Sequence, residues 1–217
     1  MSVVLLRGTS GSGKTWIAEQ VIATCGGLAA AQQVKLGNPD ENPSKWKTGA
    51  YVWKAPPVTL IGRYDATCGG CDALNWSGAA DDVERFAIQQ AKMGQNVLFE
   101  GLMVSSYGVE RLKRIPGLTV VYLATPLDDC LASENKRRAT RDALRHAKHA
   151  AEVALRLSKG RKPPKPLDPA KPLNEENTRA KHHTLLVTNK SNRAKGVKVE
   201  ELQRPEAHAR VMELLGL

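Results

Sequence analysis

Short apolar runs alternate with amphipathic stretches along most of this chain. Five runs bounded by turn residues predict strands at 2–7, 58–62, 96–100, 118–124 and 197–199. Between them, apolar positions at helical spacing predict helices at 14–25, 79–93, 105–114, 127–158, 174–182 and 205–215. Strand alternating with helix predicts the α/β class: a doubly wound, parallel, five-stranded sheet with its ligand at the carboxyl ends of the strands. Two stretches interrupt the alternation. Residues 37–43 are turn-rich and lead into Ser44–Lys54, whereas 159–169 is basic and proline-rich and suits neither a regular helix nor an interior strand. The second is a mobile loop or an extended arm. No internal repeat is evident.

The turn after the first strand carries the strongest chemical signal. Gly8-Thr9-Ser10-Gly11-Ser12-Gly13-Lys14-Thr15 is a complete P-loop between a buried strand and a helix. Its glycines allow the backbone to fold into a nest of N–H groups for phosphate oxygens, and the helix N-terminus adds partial positive charge there. Lys14 is placed to reach the β- and γ-phosphates, and the Thr15 hydroxyl to help hold Mg²⁺. Residues 8–15 are therefore expected to bind a nucleoside triphosphate, with ATP and Mg²⁺ as cofactors.

At 217 residues the chain has room for one domain, 1–217, including a lid or insertion. No apolar run approaches a membrane span, and the N-terminus reads as strand and P-loop rather than signal peptide. With four cysteines beside an ATP site, these features point to the cytoplasm and to no membrane partner. The charge of +10 is lopsided. Residues 1–130 hold 12 basic and 12 acidic residues, and 131–217 hold 20 and 10. From Lys136 to Lys165 there are 11 basic residues and two acids, Asp142 and Glu152. A neutral nucleotide-binding half followed by a basic half suggests a polyanionic partner beyond ATP; a solvated lysine-rich surface is the alternative. The basic lid or arm region is 131–173.

Further candidates lie at strand ends. Glu100 closes the strand 96–100, where P-loop enzymes place a carboxylate that supports Mg²⁺ or the attacking group. The loop Gly62–Asp72 offers two acids, Asp65 and Asp72, for accepting a proton from a substrate hydroxyl. Asp72 is preferred because two glycines precede it, although it equally suits a cap for the next segment. Arg137, Arg141 and Arg145 are four apart and share one helix face, which could close over the P-loop or lie in solvent. The single Cys68-x-x-Cys71 lacks the two further ligands that zinc needs, and the histidines 146, 149, 182 and 183 fit no ligand spacing. Reduced packing cysteines are the default. Lys45-Trp46-Lys47 and Tyr51-Val52-Trp53-Lys54 have the composition of a base-stacking surface, though aromatics are more often core.

Taken in order, the P-loop, Tyr64-x-x-x-Cys68-Gly69-Gly70-x-Asp72, Phe99-Glu100-Gly101 and the arginine helix resemble the P-loop kinases of bacteriophages. Within these the chain is most similar to the 5-hydroxymethyluridine DNA kinases of phages with hypermodified thymines. The resemblance covers residues 1–141. It implies the P-loop kinase fold with a basic helical lid, and phosphorylation of a base hydroxymethyl group within DNA, which makes that group a leaving group for later amine addition. Implied catalytic residues are Lys14, Asp72 or Asp65, Glu100, Arg137 and Arg141, with Thr15 and Glu100 at the metal. Thymidylate-type kinases usually carry Asp-Arg-aromatic where this chain reads Glu100-Gly101-Leu102, which lowers the small-nucleotide reading. Polynucleotide 5′-kinases are a further neighbour. The expected function is transfer of the ATP γ-phosphoryl group to a modified pyrimidine in DNA. The alternatives are a nucleoside or nucleotide kinase and a nucleic-acid-binding ATPase.

Overall fold

A computed structural model describes residues 1–37, 46–65, 69–169 and 172–217. Its strands are β1 (Val3–Arg7), β2 (Gln32–Leu36), β3 (Lys47–Trp53), β4 (Val58–Ile61), β5 (Asn96–Glu100), β6 (Leu118–Leu123) and β7 (Val199–Leu202). The helices are α1 (Lys14–Thr24), α2 (Ala79–Lys92), α3 (Leu102–Ser105), α4 (Val109–Arg114), α5 (Leu127–Ser158), α6 (Glu175–Ala194) and α7 (Arg204–Leu215). All seven strands form one sheet in the order β2-β3-β4-β5-β1-β6-β7.

The parallel part, β4-β5-β1-β6-β7, contains the five strands expected from the sequence. The expected strand at 197–199 overlaps β7 only at Val199. Its remaining residues, Glu200, Glu201 and Leu202, lack an apolar run because this is an edge strand, where Glu200 is paired with Arg210 and Lys198. The five-stranded count is corrected to seven by β2 and β3, which add antiparallel to β4. β2 carries Gln-Gln-Val-Lys-Leu on the opposite, exposed edge and gives no apolar signal. The helix expected at 105–114 is broken into α3 and α4 around Gly108, and α6 continues to Ala194 rather than ending at 182.

Both faces of the sheet are covered, so the strands at its centre are apolar throughout. All five residues of β1 are buried, and the alternation of a strand sends Val3 and Leu5 to one face and Val4 and Leu6 to the other. The first face packs against Val83 and Ala87 of α2 and against Leu112 of α4. The second packs against Ile17, Ala18 and Val21 of α1 and against Ala207, Val211 and Leu215 of α7. Each buried Val, Leu or Ile among these contributes about 1.5–3 kcal/mol. Leu5 lies level with Phe99 and Val120, and Leu6 level with Glu100 and Val121. The chain leaving β1 therefore emerges beside Glu100. This juxtaposition positions the site.

Two corrections concern aromatics. Tyr51 and Trp53 of β3 are core residues, 1% and 2% exposed, and the Trp53 indole donates to the Gly27 carbonyl at 3.2 Å. They are not a stacking surface. Of the proposed basic-aromatic stretch, Lys45 lies outside the described residues, as does Cys68 of the CxxC. Cys71 is buried, its thiol 3.5 Å from the Ile61 carbonyl and pushed well up by burial, as a packing residue would be. Among the described residues no helix is long and apolar enough to cross a membrane.

Candidate active site

The P-loop occupies the turn between β1 and α1. Gly11 has φ 85°, and a Cβ there would collide with the Cys130 carbonyl of α5, so only glycine lets α5 approach this closely. Lys14 is 8% exposed and its ammonium folds back to the carbonyls of Gly8 (2.8 Å) and Thr9 (3.1 Å). Burial lowers its pKa, opposed by the negative charges of Glu100 and Asp72. The loop is braced from three directions. Thr125 donates to the Ser12 carbonyl at 3.0 Å, Arg204 donates to the same carbonyl at 3.2 Å, and Thr9 Oγ1 lies 2.8 Å from His182 Nδ1. Beneath it, the buried Arg7 donates to Asn189 Oδ1 (3.0 Å) and to the Tyr107 carbonyl (3.2 Å).

Glu100 ends β5 one strand away. It is 2% exposed and accepts a hydrogen bond from Thr15 Oγ1 at 3.2 Å. Burial raises its pKa while Lys14 pulls it down. No ion pair engages this carboxylate among the described residues. A buried carboxylate facing a P-loop hydroxyl, without a cationic partner in contact, fits a Mg²⁺ site completed by phosphate oxygens and water.

The loop after β4 closes on itself through paired backbone bonds between Arg63 and Gly70, 2.9 and 3.0 Å long. Gly70 has φ 77°, and a Cβ on it would strike the Glu100 carboxylate, so glycine is what brings this loop against β5. Asp72 follows in a short 3₁₀ turn. Its Oδ1 accepts from the Met103 N–H at 3.0 Å, which ties it to the start of α3. The capping role foreseen as an alternative is therefore present, directed at α3 rather than at the segment directly after Asp72. Asp65 is half-exposed and paired with Arg63 at 3.3 Å.

One cleft of about 330 Å³ collects these groups. Lys14, Thr15, Asp72, Glu100 and Arg137 line it together with P-loop glycines and Trp16; Asp65 and Arg141 are not among its lining residues. Arg137 is also paired with Glu134 on the same helix. Arg141 is exposed, and Arg145 turns away to the Asp168 carbonyl at 2.8 Å. The arginine face therefore divides: its first member reaches the cleft and its last fixes the proline-rich return segment. A second cleft of about 470 Å³ opens on the other side of Ser133, between Thr125–Pro126 and Gln203–Pro205.

Reading the sequence missed His182, Arg204, Thr125 and Trp16. In the sequence His182 stands out only as a potential metal ligand. For Arg204 and Thr125 a signal existed, since both directly follow parallel strands and so belong at the same sheet edge as the P-loop. His182 had none, because nothing local shows that α6 returns to the carboxyl end of β1.

No family model matches the chain. It is 29% identical over 221 aligned residues, 98% of this chain and 96% of the other, to a protein of Pseudomonas phage PaMx11 named 5-hmdU DNA kinase. That match bears out the expectation of a phosphotransferase. The resemblance first carried by residues 1–141 thus extends over nearly the whole chain, which is similar from end to end to a phage 5-hmdU DNA kinase.

Proposed function

We propose that this protein transfers the γ-phosphoryl group of ATP to the hydroxymethyl group of 5-hydroxymethyluracil in DNA. The observation that carries the reading is the single cleft shared by Lys14, Thr15, Glu100, Asp72 and Arg137. Few other reactions call for a P-loop, a metal-supporting carboxylate, a second carboxylate and an arginine within one small volume. The relative's name supplies the acceptor class.

In this reading the P-loop N–H groups and Lys14 hold the phosphates, with Lys14 exchanging its two carbonyl partners for phosphate oxygens. Thr15 and Glu100 would hold Mg²⁺, which would supply positive charge against the phosphates. The nucleoside of ATP extends from the phosphate cleft toward the larger cleft between Thr125–Pro126 and Gln203–Pro205, with Ser133 lining both. Asp72 accepts the proton of the hydroxymethyl group as its oxygen bonds to the γ-phosphorus. The bond from that phosphorus to the β-bridging oxygen breaks, and ADP leaves. Arg137 offsets negative charge on the phosphoryl group in flight. Phosphoryl transfer needs little covalent help, so positioning and charge account for most of the catalysis.

The DNA reading is supported by the region 131–173, which we assign as a basic lid and arm. Beyond Glu134, α5 has no fully buried residue up to its end at Ser158. Arg141, Lys148, Lys159, Arg161, Lys162 and Lys165 stand exposed along α5 and the return segment. They form no ion pair among the described residues. Cations in such a row suit a phosphate backbone. The target base would be extruded at a cost of a few kcal/mol, because a hydroxymethyl group in the major groove does not reach a recessed P-loop.

The test compares γ-labelled ATP with hydroxymethyluracil-containing DNA, unmodified DNA and free nucleosides across a salt series. Label entering only the modified DNA, at a rate that falls steeply with salt, is the expected result. Salt-independent rates with a free nucleoside preferred would replace the reading with a small-molecule kinase.

A further inference from the structure

Trp16 has no role in the reaction as derived above, yet its placement is unusual. It follows Lys14 and Thr15 in the first turn of α1, it is 43% exposed, and it borders the phosphate cleft. The other α1 residues packed against the sheet, Ile17, Ala18 and Val21, account for that helix's core contacts without it. An indole left in water beside a ligand cleft loses apolar burial that a polar residue would not forgo.

Trp16 is also held in place. Its ring meets that of His208 of α7 at 5.2 Å between centroids and 57° between planes. His208 lies one turn after Arg204, whose guanidinium donates to the Ser12 carbonyl and lines the larger cleft. Trp16, His208 and Arg204 thus make a continuous wall on the α7 side of the P-loop. The wall joins the phosphate cleft, which Trp16 borders, to the larger cleft, which Arg204 lines.

Resting on the kinase reading, we propose that Trp16 is a binding residue for the nucleoside of the triphosphate donor, its indole packing flat against the sugar and base while His208 buttresses its edge. An aromatic face suits this task because stacking tolerates the shape of the base and is rigid at low entropic cost. The P-loop and Lys14 then recognise the phosphates, and Trp16 distinguishes a nucleotide from a bare polyphosphate.

The experiment measures binding of ATP and of inorganic tripolyphosphate, each with Mg²⁺, to the wild type, Trp16→Ala and Trp16→Phe. Expected is a loss of about tenfold in ATP affinity for Trp16→Ala, tripolyphosphate affinity unchanged within about twofold, and most of the ATP affinity restored in Trp16→Phe. Indole fluorescence of the wild type should be quenched by ATP and not by tripolyphosphate, and Trp16→Phe should lose that quench. Equal loss for both ligands would mean that the substitution only disturbs α1, and unchanged ATP binding would mean that the indole touches nothing; either overturns the proposal. A wild type that binds neither ligand overturns the kinase reading itself, and is told apart by that control.

Discussion

Thr9 in the P-loop and His182 in α6 stand 2.8 Å apart, Oγ1 to Nδ1, across 173 residues of sequence. Thr9 is almost fully buried, so its hydroxyl relies on a protein partner in place of water. The contact joins the phosphate nest to the helix that follows the basic arm. A parallel link lies below it, from Arg7 to Asn189 of the same helix. Through these two bonds α6 holds the root and the first turn of the P-loop.

Removing the His182 ring should therefore loosen phosphate binding without touching the chemistry. A hydrogen bond of this kind is worth about 1 kcal/mol, so His182→Ala should raise the KM for ATP about fivefold with kcat changed less. His182→Asn places an amide near the lost Nδ1 and should recover most of the affinity. Steady-state kinetics on the three proteins decide the matter, and identical KM values would show that the contact does not position the loop.

Lys14 donates side-chain hydrogen bonds to the carbonyls of Gly8 and Thr9. Lys14→Ala should lower phosphoryl transfer by about 10²–10³ or more, because the charge on the phosphates is left uncompensated. Circular dichroism should remain that of the wild type. Near-normal turnover at saturating ATP would move the phosphate site elsewhere.

Asp72 and Asp65 can be separated cleanly. Asp72→Asn keeps an oxygen for the Met103 N–H and so preserves the start of α3 while removing the base. The rate of the chemical step should fall by about 10² with ATP binding retained. Asp65→Asn breaks an exposed pair with Arg63, worth under about 1 kcal/mol, and should leave the rate unchanged. The opposite pattern in single-turnover kinetics would exchange their roles.

Glu100 carries a conflict between stability and function. Burial raises its folded pKa above the unfolded value, so the native state binds the proton more tightly than the unfolded chain does. Its contribution favours folding at pH below the ordinary carboxylate range. It is lost as pH climbs through the raised folded value, and above that the ionised group costs stability. In metal-free buffer at neutral pH, Glu100→Gln should therefore melt at a higher temperature than the wild type while losing activity by about 10² or more. The wild type's activity should fall at a pH low enough to neutralise this carboxylate, because the neutral group no longer holds a cation. A lower melting temperature for Glu100→Gln across the whole pH range would contradict this account.

What the sequence disclosed and what it withheld follow from the range of the interactions involved. The P-loop and the acids at strand ends are local patterns, and a parallel sheet sends every strand end to one edge, so Lys14, Thr15, Asp72 and Glu100 could be grouped in advance. Burial of Trp53 and the pairing of β2 with β3 depend on an antiparallel extension whose outer strand is polar. Arg137, Arg141 and Arg145 share a helical face, but their different fates depend on Glu134 and Asp168. His182 reaches Thr9 only because α6 returns to the carboxyl end of β1. Contacts across such distances in the chain leave no periodic trace.

The central claim is that the acceptor is a hydroxymethyl group on a base within DNA, and mapping the transferred phosphate tests it most directly. A DNA duplex carrying 5-hydroxymethyluracil, its 5′ ends blocked beforehand with unlabelled phosphate, is labelled with γ-³²P ATP and the protein, then digested to mononucleotides by nuclease without phosphatase. The account predicts label that enters the end-blocked duplex and travels with the modified nucleotide as a phosphomonoester on its hydroxymethyl group. Label that enters only duplexes with free 5′ ends, or only free nucleoside, would contradict it.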